Sequence, residues 1–312
     1  MTHLIEQINA ILIGLRENGE IPASNWPADA PFSAIEMGLE ERSKKIFLPA
    51  QSDLIDVEYI EQELPSLKIR LFDAIGSTNT EMLKVAHYER INDLLYLAEY
   101  QYSGRGRHGR SWVSPYARNL SISYGLETNL PFASMECLSL VIGLAVADTL
   151  KSIGLDIVKL KWPNDILVDH KKLAGILVEL SDKGNSRAVV VGLGLNIDIS
   201  RDEQAMIDQP LTDCRSLGIK FSRTHLITIL VRSMRFYIAQ YLEKGFKPLK
   251  EQYEEFIAYR EKFCRLQLGE EVVAEGILKG VNERGELELF DKDGLRTYRV
   301  GEISLRPADN FR

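Results

Sequence analysis

Three β-forming stretches follow one another in the middle of this chain, Ile157 to Lys161, Lys172 to Glu179 and Arg187 to Asn196. Asp169-His170-Lys171 and Asp182-Lys183-Gly184-Asn185 read as the turns before and after the second of them. Parallel strands need a long crossover, so links this short impose antiparallel hairpins. Lys68 to Asp73, Leu94 to Glu99 and Asn119 to Tyr124 read as further strands. Helices are predicted at 54–64, from Glu81 to Ala86, along the stripe Leu138, Ile142, Ala145, Val146 and Leu150, and over His225 to Leu242 and Leu249 to Glu261. The fold class is α+β: a central mixed or antiparallel sheet with flanking helices, not a doubly wound parallel sheet.

The two ends differ from this middle. From Cys264 onward, turn signals at Gly269-Glu270-Glu271, Asn282-Glu283-Arg284-Gly285 and Asp291-Lys292-Asp293-Gly294 separate short strands and predict a small β barrel. At the front, Leu4, Ile5, Ile8, Ile11, Leu12 and Leu15 predict an amphipathic helix over residues 3–17. Pro22, Pro27 and Pro31 then leave only Phe32 to Ile46 for a second helix. A chain of 312 residues suits such a division: a small helical domain at 1–52, a ligand-binding domain at 53–262 and a barrel at 263–312.

Composition narrows the function. The longest apolar run, Leu140 to Ala147, is far short of the ~20 residues of a membrane span. Glu6 and Asn9 stand where a signal peptide would carry positive charge and then an apolar run, so the expectation is a cytoplasmic protein with no membrane association. Three distant cysteines and five histidines show no metal-ligand spacing, so no protein metal site is expected. A net charge of -7 argues against coating nucleic acid with the whole surface.

One local stretch runs against that charge: Gly104-Arg105-Gly106-Arg107-His108-Gly109-Arg110, with Trp112 close behind. Arginine forks suit carboxylate and phosphate oxygens, and glycines let the backbone approach an anion. Downstream stand Lys161-Trp162-Pro163-Asn164-Asp165, Lys172-Leu173-Ala174-Gly175-Ile176-Leu177-Val178-Glu179 and Gly192-Leu193-Gly194-Leu195-Asn196. These four stretches, in this order, resemble the bacterial biotin protein ligases, a family that includes the bifunctional biotin operon repressor.

The resemblance covers about residues 54–312. It implies a class II synthetase-like catalytic domain with an SH3-like barrel, which activates biotin with ATP and Mg2+ as biotinyl-5'-AMP. Biotin then passes to one lysine of the biotin carboxyl carrier protein of acetyl-CoA carboxylase, with no tightly bound prosthetic group. By the same resemblance Ser77, Thr78, Asn79, Gln101, Gly104, Arg105, Gly106, Arg107, Trp112, Lys172 and Gly175 bind biotin. Arg107, Arg110, Asn164, Lys172 and Asn196 bind the nucleotide, and Lys172, Asp165 and Arg107 carry the chemistry. Arg306, in Gly301-Glu302-Ile303-Ser304-Leu305-Arg306, closes the site from the barrel, and the adenine rests near Ile207, Pro210 or Leu211. His108 stands where the best-known members have arginine, which weakens one cation near neutral pH. Family members often dimerise through the central sheet.

The front of the chain departs from the repressor pattern. Residues 1–52 hold Arg16, Arg42, Lys44 and Lys45 against seven acidic residues, a net of -3, where a DNA reader must neutralise phosphates. The expectation is a degenerate or repurposed domain in a winged-helix position, whose deletion leaves adenylate synthesis largely intact. A bifunctional ligase and repressor using biotinyl-AMP as corepressor is the alternative. Lipoate ligases and octanoyl transferases share a related fold but not these stretches in this form.

Overall fold

The computed structural model describes residues 2–184, 186–207, 209–301 and 303–308. Asn185 of the expected turn, Glu302 of the C-terminal stretch and residues 309–312 of the barrel segment lie outside them. In chain order the elements are α1 (Thr2–Asn18), β1 (Glu20–Pro22), β2 (Glu40–Arg42), β3 (Lys45–Phe47), α2 (Val57–Glu63), β4 (Lys68–Ile75), α3 (Thr78–Ala86), β5 (Leu94–Gln101), β6 (Leu120–Thr128), α4 (Leu138–Ser152), β7 (Lys159–Lys161) and β8 (Asp165–Val168). There follow β9 (Lys171–Lys183), β10 (Ser186–Leu195), α5 (Arg201–Ala205), α6 (Arg223–Lys244), α7 (Lys250–Phe256), β11 (Phe263–Leu268), β12 (Glu271–Val281), β13 (Leu287–Asp291), β14 (Gly294–Tyr298) and β15 (Ile303–Pro307). The chain forms two compact units, one of residues 1–128, 179–208 and 213–225, the other of residues 129–178, 209–212 and 226–312.

In the first unit the strands lie in the order β4-β5-β6-β10, followed by the end of β9. β4 and β5 are parallel, joined through α3, while β5-β6 and β6-β10 are antiparallel, so the sheet is mixed. α3 lies on it through Met82 and Ala86, buried with Tyr96 of β5 and Val190 of β10. α1 forms as its periodicity predicts: Ile8, Leu12 and Leu15 repeat at helical spacing and are fully buried. Their partners include Met37, Leu39 and Ile46, but also Ala74 of β4, Tyr100 of β5 and Tyr116. The front of the chain and the sheet therefore share one core.

The helix expected over Phe32 to Ile46 does not form. Ser33 and Glu36 cap each other reciprocally, Gly38 is left-handed at φ 84, and β2 turns into β3 through Ser43 and Lys44, both left-handed. Tertiary burial of Phe32, Ala34, Met37 and Leu39 is met by turns instead of a helix. The described residues of 1–52 thus contribute one α-helix, a single 3-10 turn at Ala23–Asn25 and the three-stranded sheet β1-β3-β2, not a helical domain.

In the second unit the first half of β9 pairs with β8, and β8 with β7, all antiparallel. The β8-β9 hairpin closes on Asp169 and His170 with φ 48 and 64, the doubly left-handed turn that suits the right-handed twist of paired strands. β8 itself was not expected: the sequence offered no strand between Lys161 and Lys172, yet Asp165 opens one. Of α4, 15 residues long, all but three are buried. Phe132–Ser152 is long and apolar enough to cross a membrane by length and composition, and 78% of its window is buried inside the protein. α7 stops at Phe256, earlier than expected, and Tyr259 and Glu261 beyond it are left-handed. The C-terminal strands form an antiparallel sheet in the order β14-β13-β12-β11-β15.

Candidate active site

The glycine-arginine stretch folds back on itself. Gly106 N donates to Arg110 O at 2.7 Å and Trp112 N to Gly104 O at 2.8 Å, and Arg105 faces Ser111 in an antiparallel bridge. Arg107 opens a single 3-10 turn in which His108 is left-handed at φ 56. Several backbone donors expected to cradle an anion are therefore engaged within the loop, and the side chains carry its charge. Glycine is required at 104 because a Cβ there would stand 2.5 Å from Trp112 O, closing the gap between the two legs. Arg105 and Arg110 are exposed and Arg107 is half-buried.

The loop springs from the end of β5, beside the start of α3. Ser77 takes the N-cap position without a side-chain cap bond. Gln101 does that work: its Oε1 accepts from Thr78 N at 2.9 Å and lies 3.1 Å from Thr78 Oγ1. Ser77, Thr78 and Asn79 are all buried, so the structure brings the expected hydroxyls and amides together at one helix start. Trp112 lies over Gly194 of β10, where a Cβ would come 2.2 Å from its Cε2. A pocket of about 230 Å3 in this unit is lined by Gln101, Gly104 and Trp112 together with Glu36, Ser103 and Met206. Glu36 and Met206 were not singled out by the sequence; only contacts between remote segments place them here.

Asn196 follows the end of β10, is buried, and accepts from Cys214 N at 3.1 Å through its carbonyl. The chain beyond it is held by Asn119, whose Oδ1 accepts from Ile197 N at 2.8 Å and Asp198 N at 3.1 Å. Burial raises the Asp198 carboxyl above its ordinary value, opposed by Arg215 at 3.1 Å and by Arg118.

In the second unit Asp165 and Lys172 meet: Lys172 Nζ lies 2.7 Å from Asp165 Oδ1, and Lys161 Nζ 3.9 Å from Oδ2. Strand register makes this contact, since Asp165 pairs with Gly175 and the neighbouring Leu167 with Lys172. Asn164 fastens the corner, with its Nδ2 donating to Ile176 O at 3.0 Å and its carbonyl accepting from Ile176 N at 2.9 Å. Lys172 N donates to Pro210 O at 3.0 Å, and Leu211 is buried, so of the residues proposed for an adenine contact these two pack along β9. Trp162 is buried and donates from its indole to Gly285 O at 3.2 Å, tying the hairpin after β12 to this corner.

A cavity of about 660 Å3 in this unit contains Lys161, Asp165, Lys172, Arg265 and Arg306. Four cations and one carboxylate make it an anion-receiving space. Arg306 of the C-terminal stretch lines this cavity. Lys161, Arg265 and His170, the last stacked on Tyr259 at 5.6 Å, were missed; Lys161 lies within a recognised stretch, and Arg265 had no sequence signal.

Residues 71–196 match the model of the Biotin/lipoate A/B protein ligase family. The chain is 34% identical over 268 residues to the Bifunctional ligase/repressor BirA of Escherichia coli, covering 84% of this chain and 81% of that protein. It is 32% identical over 220 residues to the Biotin--[acetyl-CoA-carboxylase] ligase of Mycobacterium tuberculosis, covering 68% of this chain and 79% of the other. The biotin protein ligase from Aquifex aeolicus solved in complex with biotin and ATP superposes with a TM-score of 0.67 at 27% identity, over 77% of this chain and 99% of that one.

Proposed function

Because the chain belongs to the biotin protein ligase family, within the broader biotin/lipoate A/B group, we propose that it joins biotin to ATP as biotinyl-5'-AMP, with release of pyrophosphate, and then passes biotin to one lysine of a biotin carboxyl carrier domain. The observation that carries this reading is the Asp165–Lys172 pair, set among further cations in one cavity. The Aquifex structure, which holds biotin and ATP, supports the same substrates here.

Two anions must meet in the first step, and at 4 Å their repulsion is about 4 kcal/mol at an effective dielectric of 20. Lys172 lowers that cost as a cation able to touch both carboxylate and phosphate oxygens, with Arg107 and Arg110 as further candidates from the loop. A biotin carboxylate oxygen attacks the α-phosphorus, and the bond to pyrophosphate breaks. In the second step the acceptor amine attacks the acyl carbon, AMP leaves with the electron pair, and the amine's proton passes to the Asp165 carboxylate. Gln101, Thr78 and Gly104 offer the groups that a ureido ring requires, while Trp112 covers the ligand against water.

Mg2+ would come bound to the phosphates of ATP and neutralise part of their charge there. We place the protein in the cytoplasm, where ATP and the acceptor are found together. A homodimer through the central sheet belongs to the same proposal.

Operator binding is not part of it. Of the three cations of the β2-β3 hairpin, Lys45 faces Glu20 and Arg42 faces Glu40, and Arg16, the one arginine or lysine of α1, faces Asp73. Phosphate contacts need cations that are not already neutralised.

The test is biotin incorporation into a purified carrier domain with ATP and magnesium, comparing the acceptor lysine with an arginine substitute. Transfer that needs both ATP and that lysine is expected. Lipoate-dependent, biotin-independent ATP–pyrophosphate exchange would sink the reading.

A further inference from the structure

Glu179 is the last residue of the Lys172-to-Glu179 stretch, and none of the roles assigned above uses it. Its carboxylate accepts from Arg105 of the loop, with both oxygens 2.9 Å from the same guanidinium nitrogen, and from Asn79 Nδ2 of α3 at 2.9 Å. Asn79 Oδ1 in turn accepts from Ser123 Oγ, which lies 2.7 Å from Thr78 Oγ1, and Thr78 bonds to Gln101. Gln101 stands at the foot of the loop and Arg105 on its rising leg. The hydrogen bonds therefore run in a circuit from one end of that segment to the other: Gln101, Thr78, Ser123, Asn79, Glu179, Arg105. Ser123 is fully buried, Thr78 and Asn79 nearly so, and Arg105 is exposed.

We propose that Glu179 is a positioning residue for biotin binding, gripping Arg105 and Asn79 together so that the loop is already set against α3 when biotin arrives. The inference rests on the ligase reading above. An exposed ion pair alone would contribute little. Here the carboxylate joins the exposed arginine to an amide whose own place is fixed by buried partners, and a Cβ at Gly192 would come 2.4 Å from Asn79 Oδ1, so that place is shaped from β10 as well. Ordering the loop before binding removes a cost otherwise met on binding, which appears as affinity and not as rate. Asn79, engaged at both ends of its amide, is thereby assigned to holding Glu179 and not to the ureido ring.

The experiment measures biotin-dependent ATP–pyrophosphate exchange on the full chain for wild type, Glu179→Gln, Arg105→Ala and the double variant, with Tm for each. Glu179→Gln is expected to raise the KM for biotin about tenfold and shorten the lifetime of bound adenylate similarly, with kcat within about twofold and Tm unchanged. In the Arg105→Ala background the same substitution should add nothing, because its effect passes through that arginine. An unchanged KM in Glu179→Gln, or effects that multiply in the double variant, would overturn the proposal. Should Glu179→Gln unfold, Glu179→Asp takes its place in the cycle: it keeps the charge but is one methylene too short to hold both partners, and the same outcomes decide. A wild type that shows no biotin-dependent exchange would instead refute the ligase reading itself.

Discussion

Arg16 of α1 donates to Asp73 Oδ1 of β4 across 3.0 Å, and Tyr116 donates to the same oxygen at 2.6 Å. Arg16 also lies 3.9 Å from Glu99, a fully buried carboxylate of β5 that Arg223 holds at 2.8 Å. The first helix is thus wired into the polar centre of the sheet as well as into its apolar core.

Removal of residues 1–52 is therefore expected to cost the fold, reversing the expectation drawn from the sequence. It would uncover Ala74, Tyr100 and Tyr116 and leave Asp73 without its arginine. The truncated chain should be largely insoluble or lack a cooperative thermal transition. Arg16→Ala alone should lower stability by about 2 kcal/mol, the range for a hydrogen bond to a charged group, read as a shift in the denaturant midpoint. A soluble truncation with wild-type exchange would show the shared core to be dispensable.

Asp165 and Lys172 should separate the two steps. Lys172→Ala is expected to slow adenylate formation at least ~100-fold, as the loss of a charge-stabilising group does. Asp165→Asn should slow transfer to the carrier more than it slows pyrophosphate exchange. Equal losses in both assays would assign Asp165 to ligand binding and not to the proton of the acceptor amine.

Gly194→Ala places a methyl group where the Trp112 ring lies. Overpacking of this kind costs about 1–3 kcal/mol, or displaces the indole. The expected readout is a faster release of adenylate with the Tm lowered by a few degrees at most. Gly143→Ala, which meets Leu160 at an ordinary 3.4 Å, serves as the control and should leave release unchanged.

The three thiols carry a pH prediction. Burial pushes Cys137 and Cys214 up to about 12 and Cys264 up to about 11, from an ordinary 9.0. A raised value in the folded state means that the native protein holds these protons more tightly than the unfolded chain. Their contribution to stability is complete below pH 9 and is lost as pH rises towards 11 to 12. At neutral pH a thiol reagent should label none of the three until denaturant is added, and the urea midpoint should fall progressively above pH 9. Rapid labelling of the native protein would contradict the burial.

What could be read in the chain and what could not divides along the range of the interaction. Arg105, Lys172 and Asp165 sit in stretches whose residue types carry their own chemistry, and α1 announces itself through three buried residues at helical spacing. The mixed sheet followed from strand-length runs and short links. The helix over Phe32 to Ile46 failed because its apolar residues are buried by remote partners, Tyr100 and Tyr102 against Phe32, which turns satisfy as well as a helix would. β8 was hidden behind a proline and an Asx pair that favour turns. Glu179 and Asn79 are 100 residues apart, and Arg105 and Glu179 are separated by 74, so no local pattern marks either pair.

Glu36 lends one wall to the pocket that also holds Gln101 and Trp112, and it comes from the segment before residue 53. An inhibitor that fills this pocket and extends a cationic arm towards Glu36 would meet a carboxylate that ligases lacking such a segment do not present. Selectivity against this enzyme can then be sought in a contact at the rim of the proposed biotin pocket, on a residue that the N-terminal segment supplies.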